Sequence, residues 1–131
     1  TGVYQDLSAL ETTIRSANSN IFWMVDCVQA LGKTELDLKS TTIDYAPFSG
    51  HKLYAPKGIG FVYIRDSAPF TPFIAGGGQE KGRRSGTENV IGVAGMGAAA
   101  KASQHDLDNG IWEQVAELRD GLEARPMDAG A

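Results

Sequence analysis

A single cysteine, Cys27, is all the thiol chemistry that these 131 residues contain. That excludes an internal disulfide framework and any multi-cysteine metal site built within one chain. A reducing, cytoplasmic setting is expected. Long apolar runs are missing too: none approaches the roughly 18 residues needed to span a bilayer. The opening residues Thr1-Gly2-Val3-Tyr4-Gln5-Asp6 lack the basic-then-apolar pattern of a signal peptide, so neither export nor anchoring is expected. Basic charge is not in excess: the net charge is -4, which argues against nucleic acid as the main partner, and Arg83 and Arg84 form a local cluster only. The chain has no initiator Met and is expected to begin inside a longer protein. Repeats and low-complexity tracts are also missing.

What is present has the balance of one globular domain, 42% hydrophobic and 21% charged, with enough length for a sizeable core. Leu7, Leu10, Ile14 and Ala17 recur at helical spacing, predicting a helix over residues 7 to 17 with Asp6 as N-cap, stopped by Asn18-Ser19-Asn20. Ile21 to Val25 is a continuous apolar run, suited to a parallel strand buried on both faces. A second strand is read at Thr42 to Ser49, weakened by Pro47, and a third at Ile59 to Arg65, opened by the turn Pro56-Lys57-Gly58. Phe70 to Ile74 is read as a fourth. From Val90 to Ala102 small residues dominate, predicting a helix whose glycines are compensated by close packing. Ile111, Val115, Leu118 and Leu122 predict a last amphipathic helix carrying Trp112. Strands embedded among helices indicate an α/β layer fold.

Chemistry concentrates at three places. Lys52, in Phe48-Ser49-Gly50-His51-Lys52, is an amine at the end of an apolar run, and partial desolvation near cationic groups suits such an amine to attack a carbonyl. Ser49 offers a hydroxyl to a phosphate, Gly50 lets backbone approach, and His51 offers either a polar contact or proton transfer. Asp26 ends the first apolar run, where open α/β sheets bind ligands; it either caps the strand or holds a protonated pyridine nitrogen. Gln29 lies three residues on and can donate to a ring oxygen. The third place is Gly76-Gly77-Gly78-Gln79-Glu80-Lys81-Gly82-Arg83-Arg84-Ser85-Gly86-Thr87-Glu88-Asn89. Its glycines and the following helix start suit an anion-binding concavity, while Ser85 and Glu88 equally fit a capping box.

These segments, with Val25-Asp26-Cys27-Val28-Gln29-Ala30 and Ser49-Gly50-His51-Lys52-Leu53-Tyr54-Ala55-Pro56-Lys57-Gly58, resemble the cysteine desulfurases of the class V aminotransferase group. The likeness runs from Thr1 to about Arg125. It implies part of the large cofactor-binding domain of an aspartate aminotransferase-like fold over residues 1–125, with a mixed, mostly parallel sheet and flanking helices. Residues 126–131 form a tail with no assigned role. It also implies pyridoxal 5'-phosphate as cofactor. Lys52 would bond covalently to the cofactor's aldehyde and move the substrate's α-proton, Asp26 would pair with the pyridinium, Gln29 would contact the ring oxygen, and Ser49 and His51 would bind phosphate. Thr87 would reach the phosphate of a neighbouring subunit in a homodimer. The implied reaction takes sulfur from L-cysteine, leaving alanine and an enzyme persulfide, with a sulfur-acceptor protein downstream and iron–sulfur cluster assembly as its setting.

The resemblance also defines what this sequence does not carry. Family members have an earlier phosphate loop, a histidine stacked on the cofactor ring, and a later nucleophilic cysteine on a smaller domain. Cys27 is read instead as a buried core thiol, since strand neighbours point to opposite faces. Catalysis by this chain alone is therefore not expected. Alternatives are a selenocysteine lyase, another class V aminotransferase-like enzyme, or a catalytically dead interaction module that retains the motifs by descent.

Overall fold

The computed structural model describes residues 3–124. The ends of the sequence resemblance, Thr1, Gly2 and Arg125, and the tail 126–131 lie outside the described residues. Helix α1 (Leu7–Ala17) starts where expected, because the Asp6 carboxylate accepts the Ala9 N–H at 3.0 Å and satisfies one orphan donor of the first turn. Its Leu7 and Ile14 pack on a core cluster of Trp23, Cys27, Ile43, Ala46 and Phe48.

Strand β1 (Tyr45–Ser49) pairs with β2 (Gly60–Ile64) in antiparallel register, Tyr45 opposite Ile64 and Ser49 opposite Gly60. The short connection 50–59 permits only this orientation, since a parallel crossover needs roughly a dozen residues or more. Pro47 sits inside β1 without cost to the ladder. The Arg65 N–H to Asp44 carbonyl bond and the Gly50 N–H to Ile59 carbonyl bond bracket the strand, so by alternation Pro47 points its nitrogen away from β2.

The first apolar run departs from expectation. Ile21 to Val25 is not a full strand: only Met24 pairs, in a parallel bridge to Tyr45. Nor is it buried on both faces, because Ile21, Phe22 and Met24 are exposed while Trp23 is buried. The parallel bridge and the antiparallel pair make a small mixed sheet flanked by helices, an α/β arrangement. Phe70 to Ile74 is irregular rather than a fourth strand; Pro69 and Pro72 remove two amide donors, and Phe73 is 98% exposed.

Helix α2 (Val90–Asp108) runs six residues beyond Ala102. Its N-cap is Asn89, whose side-chain Oδ1 accepts the Gly92 N–H at 2.9 Å. The capping box read at Ser85 and Glu88 does not form, because the Ser85 hydroxyl donates instead to the Gly77 carbonyl at 2.8 Å. The expected close packing occurs at Gly95, where an added Cβ would lie 2.8 Å from the Pro56 ring; Gly97 faces open space. Met96 packs with Leu53 and Ala55 in a second cluster, joined to the first through Leu31. Gly110, at φ 67°, turns the chain into α3 (Ile111–Glu123), and Trp112 Nε1 ties that helix down by donating to the Gly32 carbonyl at 2.7 Å.

Candidate active site

The parallel bridge decides what can meet. Ile21 to Val25 and β1 lie side by side and point the same way, so both end at the same edge of the sheet. Asp26 follows the first segment directly, and Ser49, His51 and Lys52 leave the second, the last two within a 3₁₀ turn (Gly50–Leu53). A carboxylate and an amine 26 positions apart in sequence thus emerge at one carboxyl-terminal edge, the place where α/β sheets bind ligands.

Each side chain has a defined state. Asp26 is exposed, and its Oδ1 accepts the Val28 N–H at 2.9 Å; Oδ2 is uncommitted among the described residues. The carboxylate therefore caps the turn with one oxygen and keeps the other for a ligand. Gln29 is exposed, and its Oε1 accepts from Lys33 Nζ at 2.8 Å, which fixes the amide so that Nε2 is the outward donor. Asp26, Gln29 and Lys33 line one cleft of about 610 Å³, walled by Tyr4, Val25 and Leu36. Ser49 Oγ and His51 Nδ1 are paired at 2.8 Å; neither they nor Lys52 line that cleft. Lys52 is half-buried and makes no hydrogen bond or ion pair among the described residues.

Gly50 has a different role from the one its sequence suggested. It is buried, and a Cβ there would lie 2.8 Å from Ile59 Cγ2 and 3.1 Å from Ala55 Cβ, so its missing side chain serves packing of the 3₁₀ turn against Ile59 and Ala55. Thr87 stands apart. It is exposed on the loop before α2, and no hydrogen bond joins it to the Asp26 or the Lys52 group among the described residues.

Cys27, beside Asp26, is 2% exposed and belongs to the core. Burial pushes its thiol up, and the neighbouring Asp26 charge adds to the shift, so it is held neutral and inaccessible.

Two features were missed by sequence reasoning. The Lys33 partner of Gln29 is an i, i+4 pair that becomes legible once residues 28–33 are known to form a run of turns. The other is Asp44, 8% exposed, whose Oδ2 accepts the Trp23 N–H at 2.8 Å and meets Arg15 Nη2 at 3.4 Å. Arg65 Nε approaches Asp44 Oδ1 at 3.9 Å and donates to the Ile43 carbonyl at 3.0 Å. An acidic residue between Ile43 and Tyr45 was the signal, since a carboxylate in an apolar run must be paired.

The donor set suits an anionic, carbonyl-bearing aromatic group. It comprises an amine with no internal partner, a carboxylate oxygen left uncommitted, and a hydroxyl–imidazole pair, all at one edge. Pyridoxal 5'-phosphate has those features, so the residues present fit it.

Comparison with known proteins identifies the family. Residues 1–126 match the family model described as aminotransferase class-V. Cysteine desulfurase 2 of Trichormus variabilis is 48% identical over 110 residues, covering 84% of this chain and 27% of that protein. Cysteine desulfurase NifS of Azotobacter vinelandii is 43% identical over 119 residues, covering 90% of this chain and 29% of that one. Among solved structures, a NifS-like protein superposes with a TM-score of 0.90 at 37% identity, over 98% of this chain and 35% of its own. A NifS-like protein from Rickettsia africae gives 0.81 at 31% identity, over 95% and 35%. The chain spans about a quarter to a third of the length of the proteins it matches. With its motifs in order and its α/β architecture shared with these structures, the chain belongs to the aminotransferase class-V family.

Proposed function

We propose that this chain, over residues 1–125, provides the cofactor-anchoring part of a pyridoxal 5'-phosphate-dependent cysteine desulfurase. The carrying observation is that Asp26 and the Ser49–His51–Lys52 group leave two adjacent parallel segments at one edge. When bound, pyridoxal phosphate supplies an electron-accepting ring conjugated to an aldehyde. Asp26 holds positive charge on the ring nitrogen through its free oxygen, by opposite-charge attraction. Gln29 Nε2 donates to the ring oxygen while Lys33 keeps the amide turned. Ser49 Oγ and His51 bind the phosphate. Lys52 would hold the group through its aldehyde and would carry the α-proton of L-cysteine.

The sulfur-accepting step belongs to another thiol. Cys27 is buried and held protonated, so it neither reaches a substrate sulfur nor acts as a nucleophile. The proposal extends to a homodimer in which Thr87 of one copy reaches the phosphate held by the other, to a cytoplasmic setting, and to a protein that accepts the sulfur as alanine leaves. Among the described residues no helix is long and apolar enough to cross a membrane.

The test is reductive trapping. The chain is incubated with pyridoxal phosphate, reduced with borohydride and mapped by mass spectrometry. A phosphopyridoxyl adduct concentrated on Lys52 and abolished by Lys52→Ala supports the reading. Labelling spread over exposed lysines, unchanged in Lys52→Ala, overturns it.

A further inference from the structure

The loop that carries Thr87 is closed on itself by side chains that have no part in the proposed cofactor contacts. Gln79 folds back so that its Oε1 accepts the Gly86 N–H at 3.2 Å. From the other side, Ser85 donates through Oγ to the Gly77 carbonyl at 2.8 Å and through its N–H to the Ile74 carbonyl at 3.0 Å. Arg84 Nη1 adds a bond to the Gly86 carbonyl at 3.2 Å. These contacts explain the glycines better than an open anion concavity does. An added Cβ on Gly77 would lie 2.5 Å from Gln79 Oε1, and one on Gly76 would lie 3.2 Å from Ser85 Cβ. The glycines make room for the staple.

Between its ends the loop is held in a backbone state that L-residues avoid. Glu80 (φ 50°, ψ 37°), Lys81 (φ 57°, ψ 35°) and Gly82 (φ 78°) are consecutive left-handed residues. Such a run persists only where surrounding contacts over-determine it. Gly86 is itself at φ 110° and immediately precedes Thr87, so the bond that pins the Gly86 amide also sets the direction in which Thr87 leaves the loop.

We propose that Gln79 is a positioning residue for the phosphate, acting through Thr87 by holding the Gly86 amide. This rests on the reading that Thr87 reaches a phosphate, and the experiment separates the two. Affinities for pyridoxal phosphate and for pyridoxal, which lacks the phosphate, are measured on the chain as it stands and on Gln79→Ala, Thr87→Ala and the double variant. Amide exchange at Gly86 is followed in parallel. Gln79→Ala is expected to weaken pyridoxal phosphate about tenfold, the scale of one hydrogen bond, while leaving pyridoxal unchanged. It should also speed Gly86 exchange and add nothing further on the Thr87→Ala background, because the effect passes through Thr87. Gln79→Glu keeps the acceptor oxygen and should restore Gly86 protection.

An equal loss for both ligands, a full additional loss in the double variant, or exchange as fast in Gln79→Glu as in Gln79→Ala overturns the role of Gln79. A phosphate-specific loss in Thr87→Ala with none in Gln79→Ala overturns it while leaving Thr87 in place. If the chain shows no preference for the phosphorylated ligand, or keeps it in Thr87→Ala, the reading of Thr87 falls and the positioning role falls with it.

Discussion

Replacing Asp44 by Ala removes a carboxylate that three groups share, and the cost can be worked from their separate exposures. Asp44 is 8% exposed, and the Trp23 N–H it accepts at 2.8 Å is buried with it. Stranding that amide costs about 1–3 kcal/mol, because no water replaces the lost acceptor. The two arginines lose less. Their side chains are 23% and 28% exposed, and both keep backbone carbonyl acceptors: Arg15 at Thr42 (2.7 Å) and Ile21 (2.6 Å), Arg65 at Ile43 (3.0 Å) and Thr41. Solvent screening limits each ion pair to at most about 1 kcal/mol. We expect Asp44→Ala to lower unfolding free energy by about 3 kcal/mol. With a urea slope of about 1–3 kcal/mol/M, the midpoint falls by about 1–3 M.

Asp44→Asn separates the contributions. It retains an oxygen for the Trp23 N–H and nearly the same volume, and loses only charge, so about 1 kcal/mol is expected. Urea titrations followed by tryptophan fluorescence report directly, since Trp23 lies in the affected cluster. A loss below about 0.5 kcal/mol in Asp44→Ala would refute the argument that this amide depends on the carboxylate. Equal losses in the Ala and Asn variants would refute the division between hydrogen bond and charge.

Two further expectations come from burial and from helix packing. Cys27 should resist alkylation at pH 8 in the folded chain and react fully in denaturant, as read by mass spectrometry. Its folded pKa is raised, so its contribution to stability is fully present below the unfolded thiol value of about 8.5 and is lost as pH rises through the folded value. Within α2, Gly97→Ala should stabilise by about 0.8 kcal/mol, because nothing lies within 4 Å of the added methyl and helix propensity improves. Gly95→Ala should destabilise by about 1 kcal/mol or more by driving Cβ into the Pro56 ring. Thermal melts of both variants check the pair, and equal shifts would contradict the packing argument.

Much of this architecture was written in local signals. The Asp6 cap, the spacing of Leu7 and Ile14, the β-branched run at β2 and the apolar stripe of α3 each depend on residues within a few positions, and each element formed where read. Features that depend on distant partners were not legible. The apolar run Ile21 to Val25 looked buried on both faces, yet a single parallel bridge and the Trp23–Asp44 bond are what hold it. α2 starts at Val90 as read, but the capping box offered at Ser85 and Glu88 does not form because Ser85 has a competing acceptor, Gly77, eight residues back. The extension of α2 past Ala102 needed the knowledge that α3 folds back on it through Gly110. At the site, the Asp26 and Lys52 motifs stood out by their neighbours in sequence, whereas the packing role of Gly50 depends on Ile59 across the turn.

Holding the strand segments together and holding the site together are connected tasks. Asp44 lies at the entrance of β1, and the segment it ties through Trp23 is the one that ends in Asp26. Lys52 lies beyond the far end of the same strand. The spacing between carboxylate and amine is therefore set by the register of one short parallel pairing, whose ladder bonds are few: the Val25 N–H to the Tyr45 carbonyl at 3.0 Å, and the Tyr45 and Asp44 amides to the Trp23 carbonyl at 3.2 and 2.9 Å. A register slip by one residue would turn Asp26 to the opposite face. The Asp44 carboxylate, by claiming the Trp23 amide, selects one register from its neighbours. A buried acidic group remote from the candidate site thus has a physical reason to be present: it fixes the alignment on which an amine and a carboxylate from separate segments depend.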